Sequence, residues 1–163
     1  PTLLQADDAA ALVAGEEVTL MTWGNAIVSE VRHEGEGKVV SIAAKLHLQG
    51  SVKSTKKKLT WLADTPHLVD VQLEDYDFIL TKEKPEEEDE LKDILMSPTK
   101  FVPPAKGEPC LRQLQKGQIV QIERRGYYIC DAPFFRRGDP VRLIFIPDGK
   151  NMMGCKPPGV EAA

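Results

Sequence analysis

Short runs in which apolar and polar side chains alternate recur along most of the chain, and this pattern restricts the fold more than any other feature. Successive side chains of a β-strand point to opposite faces of a sheet, so a period of two predicts half-buried strands rather than helices. Many short strands of this kind are typical of barrels and sandwiches, and we therefore expect a mainly β fold. The runs occupy residues 17–23, 25–33, 38–48, 57–64, 68–80, 117–131 and 140–150.

The first sixteen residues depart from this pattern and predict a helical lead-in over 1–16. In "ADDAAALVAGEE", Asp7 or Asp8 can cap the N-terminus of a short helix, alanines fill it, and Gly15 can end it. The start carries neither a basic leader nor an apolar core, so it does not resemble a signal peptide. Because the first residue is Pro1 rather than methionine, we expect that the chain was cut from a longer protein.

A second departure is the acidic segment "PEEEDELKDILMSP", which predicts a helix over 85–96. Pro85 fits a first helical turn, and acids in that turn are favoured by the helix dipole. Pro98 would end the helix. Since this segment interrupts the strands between about 80 and 110, it favours two small barrels joined there.

Charge is distributed unevenly along the chain. The formal net charge is −4, but residues 83–93 hold seven acids against two lysines, so the remainder carries about +1 (−4 minus −5). The positive residues cluster at 53–58, 123–125 and 134–137. Affinity for nucleic acid depends on local basic patches that release counterions, so an acidic total does not exclude RNA.

Signals for catalysis, metal binding and membrane insertion are missing from the sequence. It contains no GxSxG, Walker or HExxH motif, and its adjacent carboxylates point to opposite faces of a strand. Three cysteines and three histidines form no cluster with zinc-ligand spacing, which indicates reduced, idle thiols and no metal site. No stretch approaches the roughly 18–20 apolar residues of a membrane span. We therefore expect no catalysis by this chain alone and no membrane partner.

The basic stretch "KSTKKKLTW" indicates contact with RNA. Its lysines can attract phosphates without reading sequence, and a tryptophan in the following strand is a candidate for stacking on an unpaired base. The alternative is a basic hairpin tip above a core tryptophan. The residues concerned are Lys53, Lys56, Lys57, Lys58 and Trp61.

The stretch "VQIERRGYY" places hydrogen-bonding side chains in a strand. Gln121, Glu123 and Arg125 would share one face, with Arg124 on the other unless a bulge at Gly126 re-aims it. An amide offers a donor and an acceptor together and a guanidinium offers a rigid fork of donors, so both suit base edges. Glu123 could hold one of the arginines in place. The alternative is a surface cluster of ion pairs, which would add little stability.

Four stretches in consistent order resemble the C-terminal anticodon-binding region of eukaryotic cytosolic glutamyl-tRNA synthetases, over about 17–150. The resemblance implies a cytoplasmic class I synthetase that joins glutamate to its tRNA with ATP and Mg in an N-terminal catalytic domain. Neither HIGH nor KMSKS, the signatures of that domain, occurs here, so the fragment is expected to be non-catalytic. The stretches are "LMTWGNAIV", "KKLTWLADTPH", "GEPCLRQLQKGQIVQIERRGYYICD" and "IFIPDGK".

The resemblance also implies an architecture of two β-barrels, proximal and distal, with the distal barrel inserted in the chain of the proximal one. The proximal barrel would use residues 17–80 plus 132–150. The distal barrel would use residues 81–131 and would include the acidic helical segment. Residues 151–163 would form a flexible tail.

Individual site residues are implied by position. Gln121 and Arg124 match the glutamine and arginine that contact the middle anticodon uridine in the related glutaminyl enzymes, with Glu123 and Arg125 supporting them. Where those enzymes carry an arginine this chain reads "TWGN", which favours the glutamyl group. We therefore expect one of its residues to stack and another to hydrogen-bond at one end of the anticodon. These two residues are Trp23 and Asn25.

The expected partner is glutamate tRNA rather than DNA, with Lys53 and the three lysines at 56–58 on backbone phosphates. A second hypothesis is a protein-interaction module. Such a module would dock another synthetase or a scaffold protein through exposed sheet edges or the acidic residues 85–93.

Overall fold

The computed structural model describes residues 1–35, 37–82 and 84–147, and in them the mainly β prediction is confirmed. Two α-helices, α1 (Ala6–Ala10) and α2 (Leu91–Ile94), and a 3-10 helix (Pro109–Gln113) accompany the strands. The strands are β1 (Thr2–Leu4), β2 (Glu17–Leu20), β3 (Gly24–Glu34), β4 (Lys38–Leu46), β5 (Lys58–Leu59), β6 (Trp61–Ala63), β7 (Val69–Tyr76), β8 (Lys100–Phe101), β9 (Pro104–Gly107), β10 (Ile119–Ile122), β11 (Gly126–Ala132) and β12 (Val141–Ile146).

The first of two compact units is Pro1–Pro66. It contains a four-stranded sheet in the order β4-β3-β2-β5 and a separate pair, β1 with β6. In β3, Ala26 and Val28 are buried on either side of the exposed Ile27, as the period of two predicts, whereas β2 buries the adjacent Val18 and Thr19. The buried core consists of Leu12, Val18, Ala26, Val28 and Leu59.

The second unit begins at His67. Its main sheet has the order β10-β11-β12-β7-β8, and β9 also pairs with β7. The pairing of β12 with β7 is parallel, with Val141 opposite Val71 and Leu143 opposite Leu73. A parallel pair requires a long crossover, and here the chain between the two strands contributes β8 to β11. The buried core consists of Val69, Val71, Leu73, Tyr128, Cys130, Val141, Leu143 and Phe145.

The contacts divide the chain at a different place from the expected barrel boundaries. The proximal barrel was expected to use 17–80 plus 132–150, and of these residues 17–66 lie in the first unit whereas 67–80 lie in the second. The end of that expected barrel, 148–150, and the expected tail, 151–163, lie outside the described residues.

Both predicted helices are shorter than expected. The N-cap of α1 is Gln5, and neither Asp7 nor Asp8 caps it, because both lie in the first turn. The helix ends at Ala10, ahead of Gly15.

In the acidic segment only one turn, α2, is helical, and Pro85 does not begin a helix. The Asp89 carboxylate instead accepts hydrogen bonds from the Glu86 backbone N–H at 2.8 Å and from Lys82 Nζ at 2.7 Å. Such bonds from a side chain to nearby backbone stabilise a turn at the expense of a helix.

The structure describes two of the three cysteine side chains. Cys130 is buried in the second core and Cys110 is exposed, and neither forms a disulfide. Burial raises the pKa of the Cys130 thiol, with the nearby Asp131 acting in the same direction. Cys155 lies outside the described residues.

Each unit contains a hairpin with the same backbone, which the sequence pattern alone did not reveal. The β2–β3 hairpin turns through Thr22 (φ 62°) and Gly24 (φ 143°), and the β10–β11 hairpin through Arg124 (φ 65°) and Gly126 (φ 128°). Each residue of the second hairpin stands 102 positions after its counterpart, as Arg124 does after Thr22. The two copies therefore allow position-by-position comparison.

The hydrogen bonds of the two hairpins also correspond. The Gly15 N–H donates to the Val28 carbonyl at 2.7 Å, and the Gly117 N–H donates to the Cys130 carbonyl at 2.7 Å. Both glycines have φ of 85°, a conformation that glycine adopts without the steric cost of a Cβ. The shared backbone thus includes the approach to each hairpin as well as its turn.

A carboxylate network braces the second sheet. Glu74 is 5% exposed and accepts hydrogen bonds from Lys100 Nζ at 2.9 Å and the Tyr76 hydroxyl at 2.8 Å, with Arg142 at 3.9 Å. The Lys100 bond is the largest influence and holds the pKa of Glu74 below its ordinary value, against the opposing effect of burial. Bonds from Arg142 and Lys116 lower the pKa of Asp131 in the same way.

These lowered pKa values predict that stability depends on acid pH. A carboxylate whose folded pKa lies below its unfolded value stabilises the fold above the unfolded pKa, about 4.3 for glutamate, and loses that effect as pH falls through the folded pKa. The free energy of unfolding, measured by urea titration between pH 3 and 7, should decline below about pH 4.5. Glu74→Gln should lower stability at pH 7 and reduce this decline, whereas Glu88→Gln, at an exposed position, should do neither. An equal decline in all three proteins would contradict the assignment.

Candidate nucleic-acid interface

The β10–β11 hairpin presents a polar side chain beside an aromatic ring. Gln121 lies opposite Tyr127 in the register, so the two side chains share one face of the sheet. Gln121 is exposed, and Tyr127 is 47% exposed. An amide beside an accessible ring can bind the edge of a planar ligand while the ring stacks on its face.

Residues 123–125 form a turn rather than a continuation of the strand, which corrects the expected alternation. The Arg125 N–H donates to the Ile122 carbonyl at 3.0 Å, and Arg124 occupies the left-handed position at the tip. Glycine is required next, because a Cβ at Gly126 would approach Phe145 Cε2 to 3.0 Å at a φ of 128°. Arg124 and Glu123 are therefore both exposed at the tip.

A buried carboxylate supports this turn from below. Asp75, at the end of β7, is 3% exposed. It accepts hydrogen bonds from Arg125 Nη2 at 3.4 Å and from the Tyr128 hydroxyl at 3.1 Å. Burial raises the pKa of Tyr128 to about 12, with Arg125 opposing this and Asp75 reinforcing it. Arg125 thus has the expected supporting position, but the carboxylate that holds it is Asp75, which sequence reasoning missed because it lies fifty residues away.

Tyr127 was also missed as a site residue. The signal was the alternation across β11, in which Tyr128 points into the core and is fully buried while Tyr127 points outward. Extending the period of two through Gly126 would have identified it.

In the first unit, the two tryptophans lie against each other. The ring centroids of Trp23 and Trp61 are 4.7 Å apart with planes inclined at 41°. Trp61 Nε1 donates to the Met21 carbonyl at 2.9 Å, which fixes its ring under the turn. Trp23 is 44% exposed and is the accessible member of the pair.

Asn25 lies in the interior and not at the surface. It is 1% exposed, and its amide nitrogen donates to Glu17 Oε1 at 2.9 Å and to the Ser51 carbonyl at 3.1 Å. Its carbonyl oxygen accepts from the Thr19 hydroxyl at 2.9 Å, and Thr19 also bonds the Thr55 hydroxyl. Both polar atoms of the Asn25 amide thus bond groups of the protein, and neither is directed to an external base.

This network fastens the loop that carries the basic stretch. His47 Nδ1 lies 2.8 Å from Glu17 Oε1, and a Cβ at Gly50 would meet that same oxygen at 2.1 Å. Hydrogen bonds from Asn25 and His47 lower the pKa of Glu17. The loop is held to β2 and β3 by polar contacts, and a side chain at Gly50 would displace the Glu17 carboxylate.

The four lysines of the basic stretch separate into two pairs. Lys53 and Lys56 are exposed. Lys57 Nζ donates to Glu16 Oε2 at 2.7 Å and to the Ala11 carbonyl, while Lys58 Nζ donates to the Thr55 hydroxyl at 2.6 Å and to the Thr55 carbonyl. Lys57 and Lys58 are thus bonded to groups of the protein.

Two family models match the chain, and both are described as "tRNA synthetases class I (E and Q), anti-codon binding domain". One covers residues 58–131 and the other residues 2–47. The cytoplasmic glutamate–tRNA ligase of Arabidopsis thaliana is 48% identical over 147 residues, which are 90% of this chain and 20% of the relative. The chain belongs to the family of class I (E and Q) tRNA synthetase anticodon-binding domains.

Further relatives of this anticodon-binding domain have similar names. The probable cytoplasmic glutamate–tRNA ligase of Schizosaccharomyces pombe is 46% identical over 156 residues, which are 94% of the chain and 22% of the relative. The bifunctional glutamate/proline–tRNA ligase of Mus musculus is 33% identical over 154 residues, which are 90% of the chain and 10% of the relative. The chain spans about a fifth of the length of the glutamate–tRNA ligases it matches.

The anticodon-binding domain therefore brings together some of the predicted site residues and not others. Gln121 and Arg124 lie on one exposed hairpin, and Trp23 packs on Trp61. Asn25 is buried. Lys57 and Lys58 bond Glu16 and Thr55 through Nζ. Within the described residues no group of three histidines, cysteines or acids is placed to hold a metal ion, and no helix is long and apolar enough to cross a membrane.

The two matching hairpins explain why Asn25 differs from its counterpart. Thr19 and Asn25 correspond by position to Gln121 and Tyr127. In the first unit the loop at 47–57 covers this face and its Ser51 carbonyl bonds the amide of Asn25. In the second unit the same face is exposed at Gln121 and Tyr127.

Asn25→Ala tests the internal role. The change removes three hydrogen bonds of a buried amide, those with the Thr19 hydroxyl, Glu17 Oε1 and the Ser51 carbonyl, so the free energy of unfolding should fall by about 2–4 kcal/mol, at roughly 0.5–1.5 kcal/mol per hydrogen bond. Urea unfolding followed by tryptophan fluorescence measures this. Gln121→Ala, at an exposed position, should change stability by no more than about 0.5 kcal/mol. Unchanged stability in the Asn25 variant would return this residue to the candidates for base contact.

Proposed function

We propose that this chain is the anticodon reader of a glutamate–tRNA ligase and that its partner is glutamate tRNA. The relatives named as glutamate–tRNA ligases support the assignment of the parent enzyme. The observation that carries the proposal for the site is the exposed pairing of Gln121 with Tyr127 below Arg124 at the hairpin tip. Hydrogen bonds among the buried Asp75 and Tyr128 and the half-buried Arg125 hold this hairpin in place.

The chemistry of the hairpin suits a uracil base. Uracil offers two carbonyl acceptors and one N–H donor on its edge, which an amide and a guanidinium complement. Gln121 and Arg124 contact the central anticodon uridine in this proposal, Tyr127 stacks on a base, and Glu123 supports Arg124 from the adjacent turn position. Shape and stacking on unpaired bases are the usual means of reading single-stranded RNA.

The first unit supplies a second set of contacts. Trp23, backed by Trp61, stacks on a base at one end of the anticodon, and Asn25 positions the loop instead of bonding a base. Lys53 and Lys56 contact phosphates, while the other two lysines anchor the loop through Glu16 and Thr55.

Two barrels, with a distal one inserted in the chain of a proximal one, complete the proposal for the architecture. Insertion is supported by the parallel pair of β7 and β12, because it joins strands from either side of residues 81–131. The expected assignment of 17–80 plus 132–150 to the proximal barrel remains a proposal.

Attachment of glutamate is proposed for the longer parent enzyme, in the cytoplasm, as the names of the relatives suggest. ATP and Mg would bind its catalytic domain, outside the sequence of this chain. In that arrangement the present region contributes tRNA recognition.

Docking of another synthetase or a scaffold protein is a second candidate function. Phe78, Ile79, Leu91 and Leu95 are exposed at 49–67% close in sequence to the acids of 86–93. Bifunctional glutamate/proline–tRNA ligases among the relatives favour a multi-synthetase setting. A pull-down that survives nuclease and high salt would support docking, whereas RNA binding should weaken steeply with salt.

Arg124→Ala tests the base contact. Loss of a bidentate contact should reduce the preference for glutamate tRNA over the same tRNA with its central uridine replaced by about 1–3 kcal/mol, on the scale known for base contacts in DNA. Fluorescence anisotropy with both RNAs measures the ratio of dissociation constants. Arg32→Ala removes an equal charge from an exposed strand and should leave the ratio unchanged. The same ratio in all three proteins would refute the role of Arg124.

The lysine pairs give a separate test. Lys53→Ala and Lys56→Ala should each make the slope of log K against log salt less steep, by about the contribution of one phosphate contact. Neither should change the unfolding temperature. Lys57→Ala and Lys58→Ala should lower the unfolding temperature because each removes an internal contact. Salt titrations and thermal melts distinguish the pairs, and an unchanged slope for the first pair would exclude phosphate binding there.

A further inference from the structure

The loop at 133–140, between β11 and β12, exposes an aromatic ring beside arginines. Phe135 is 84% exposed, the highest value among the large hydrophobic residues that the structure describes as exposed. Its neighbour Phe134 points inward and packs against the core of the second unit. The loop is therefore anchored by one phenylalanine and presents the next one to solvent.

Polar contacts hold the loop in this conformation. The guanidinium carbon of Arg112 lies 5.4 Å from the Phe134 ring centroid, and Arg112 Nη2 donates to the His67 carbonyl at 2.8 Å. Arg136 Nε donates to Asp139 Oδ2 at 3.1 Å, and the Asp139 N–H donates to the Arg136 carbonyl at 3.1 Å. Because these two hydrogen bonds join Arg136 and Asp139, they fix the turn that follows Phe135.

Two arginines follow Phe135 in the loop. Arg136 pairs with the carboxylate of Asp139, and Arg137 is the second. Arg137 is exposed and has no ion-pair partner in the ranges 1–35, 37–82 and 84–147. An exposed ring beside an exposed guanidinium matches a nucleotide, whose base stacks on aromatic faces and whose phosphate attracts arginine.

We infer that this loop is a second RNA-contact site, at which Phe135 stacks on an unpaired nucleotide and Arg137 contacts a phosphate. The inference rests on the proposed function, since it requires that the chain bind RNA. β11 has seven residues, so at about 3.3 Å per residue the loop lies roughly 20 Å from the hairpin tip. The nucleotide bound here is therefore a different one from the central anticodon base.

The chemistry of the loop favours affinity over base selection. A phenylalanine ring has no hydrogen-bonding group, and every base has a face on which it can stack. A phosphate contact likewise carries no sequence information. The site should thus strengthen binding of cognate and non-cognate RNA by the same factor, unlike the base contacts proposed for Gln121 and Arg124.

The experiment measures binding of the 163-residue chain to glutamate tRNA and to the variant with its central uridine replaced. Phe135→Ala should weaken both RNAs by roughly 5- to 150-fold, the range for loss of one stacked base. Phe135→Trp should retain binding, and Phe135→Leu, which keeps apolar area without a ring, should fail like alanine. Arg137→Ala should weaken both RNAs and reduce the salt slope by about one contact, whereas Arg137→Lys should keep the slope.

The outcomes distinguish this site from the base contacts proposed for Gln121 and Arg124, here called the base reader. Wild-type affinity in Phe135→Ala, or full retention in Phe135→Leu, overturns the inference, and the latter result would indicate an apolar protein contact. If Arg124→Ala leaves the ratio of the two RNAs unchanged while Phe135→Ala weakens both, the base reader is refuted and the second site stands. A photo-crosslinking residue at 135 that labels an unpaired nucleotide other than the central one would support the site, and labelling of protein alone would refute it.

Discussion

The parallel pairing of β7 with β12 is the contact on which the second unit depends. It joins residues 69–76 to residues 141–146, and the long chain between them adds β8 to β11 to the same sheet. The buried side chains of these two strands form most of the core, and Tyr128 and Cys130 of β11 complete it. The same pairing sets Asp75 at the base of the β10–β11 hairpin, where it bonds Arg125 and Tyr128. The geometry of the proposed base reader therefore follows from a contact between distant strands.

One hairpin backbone serves two purposes in this chain. In the first unit its face is covered by the loop at 47–57, and the buried groups of Thr19 and Asn25 are satisfied by the protein itself. In the second unit the corresponding positions carry Gln121 and Tyr127 and remain exposed. Polar groups that bond the chain internally in one copy are thus replaced by groups that can bond a ligand in the other.

Much of the fold was predictable, since alternation located the strands and the turn glycines. The site was predictable where a residue acts locally, as Gln121 does, because its outward direction follows from the period of the strand. It was not predictable where a distant segment intervenes. The loop at 47–57 buries Asn25, and Asp75 holds Arg125. The turn at 123–125 is a local departure from the strand, made through the positive φ of Arg124.

The sequence by itself determined the mainly β class, the places of most strands, the segregation of acidic and basic charge, and the family resemblance. It did not locate β1, β8 or β9. These properties depend on side-chain period, turn chemistry and composition, which act over a few residues. Only the tertiary structure decided that Asn25 is buried, that Lys57 pairs with Glu16 and which carboxylate supports the hairpin. The hydrogen bonds in these cases join residues 26 to 53 positions apart, and no local pattern in the chain specifies such pairs.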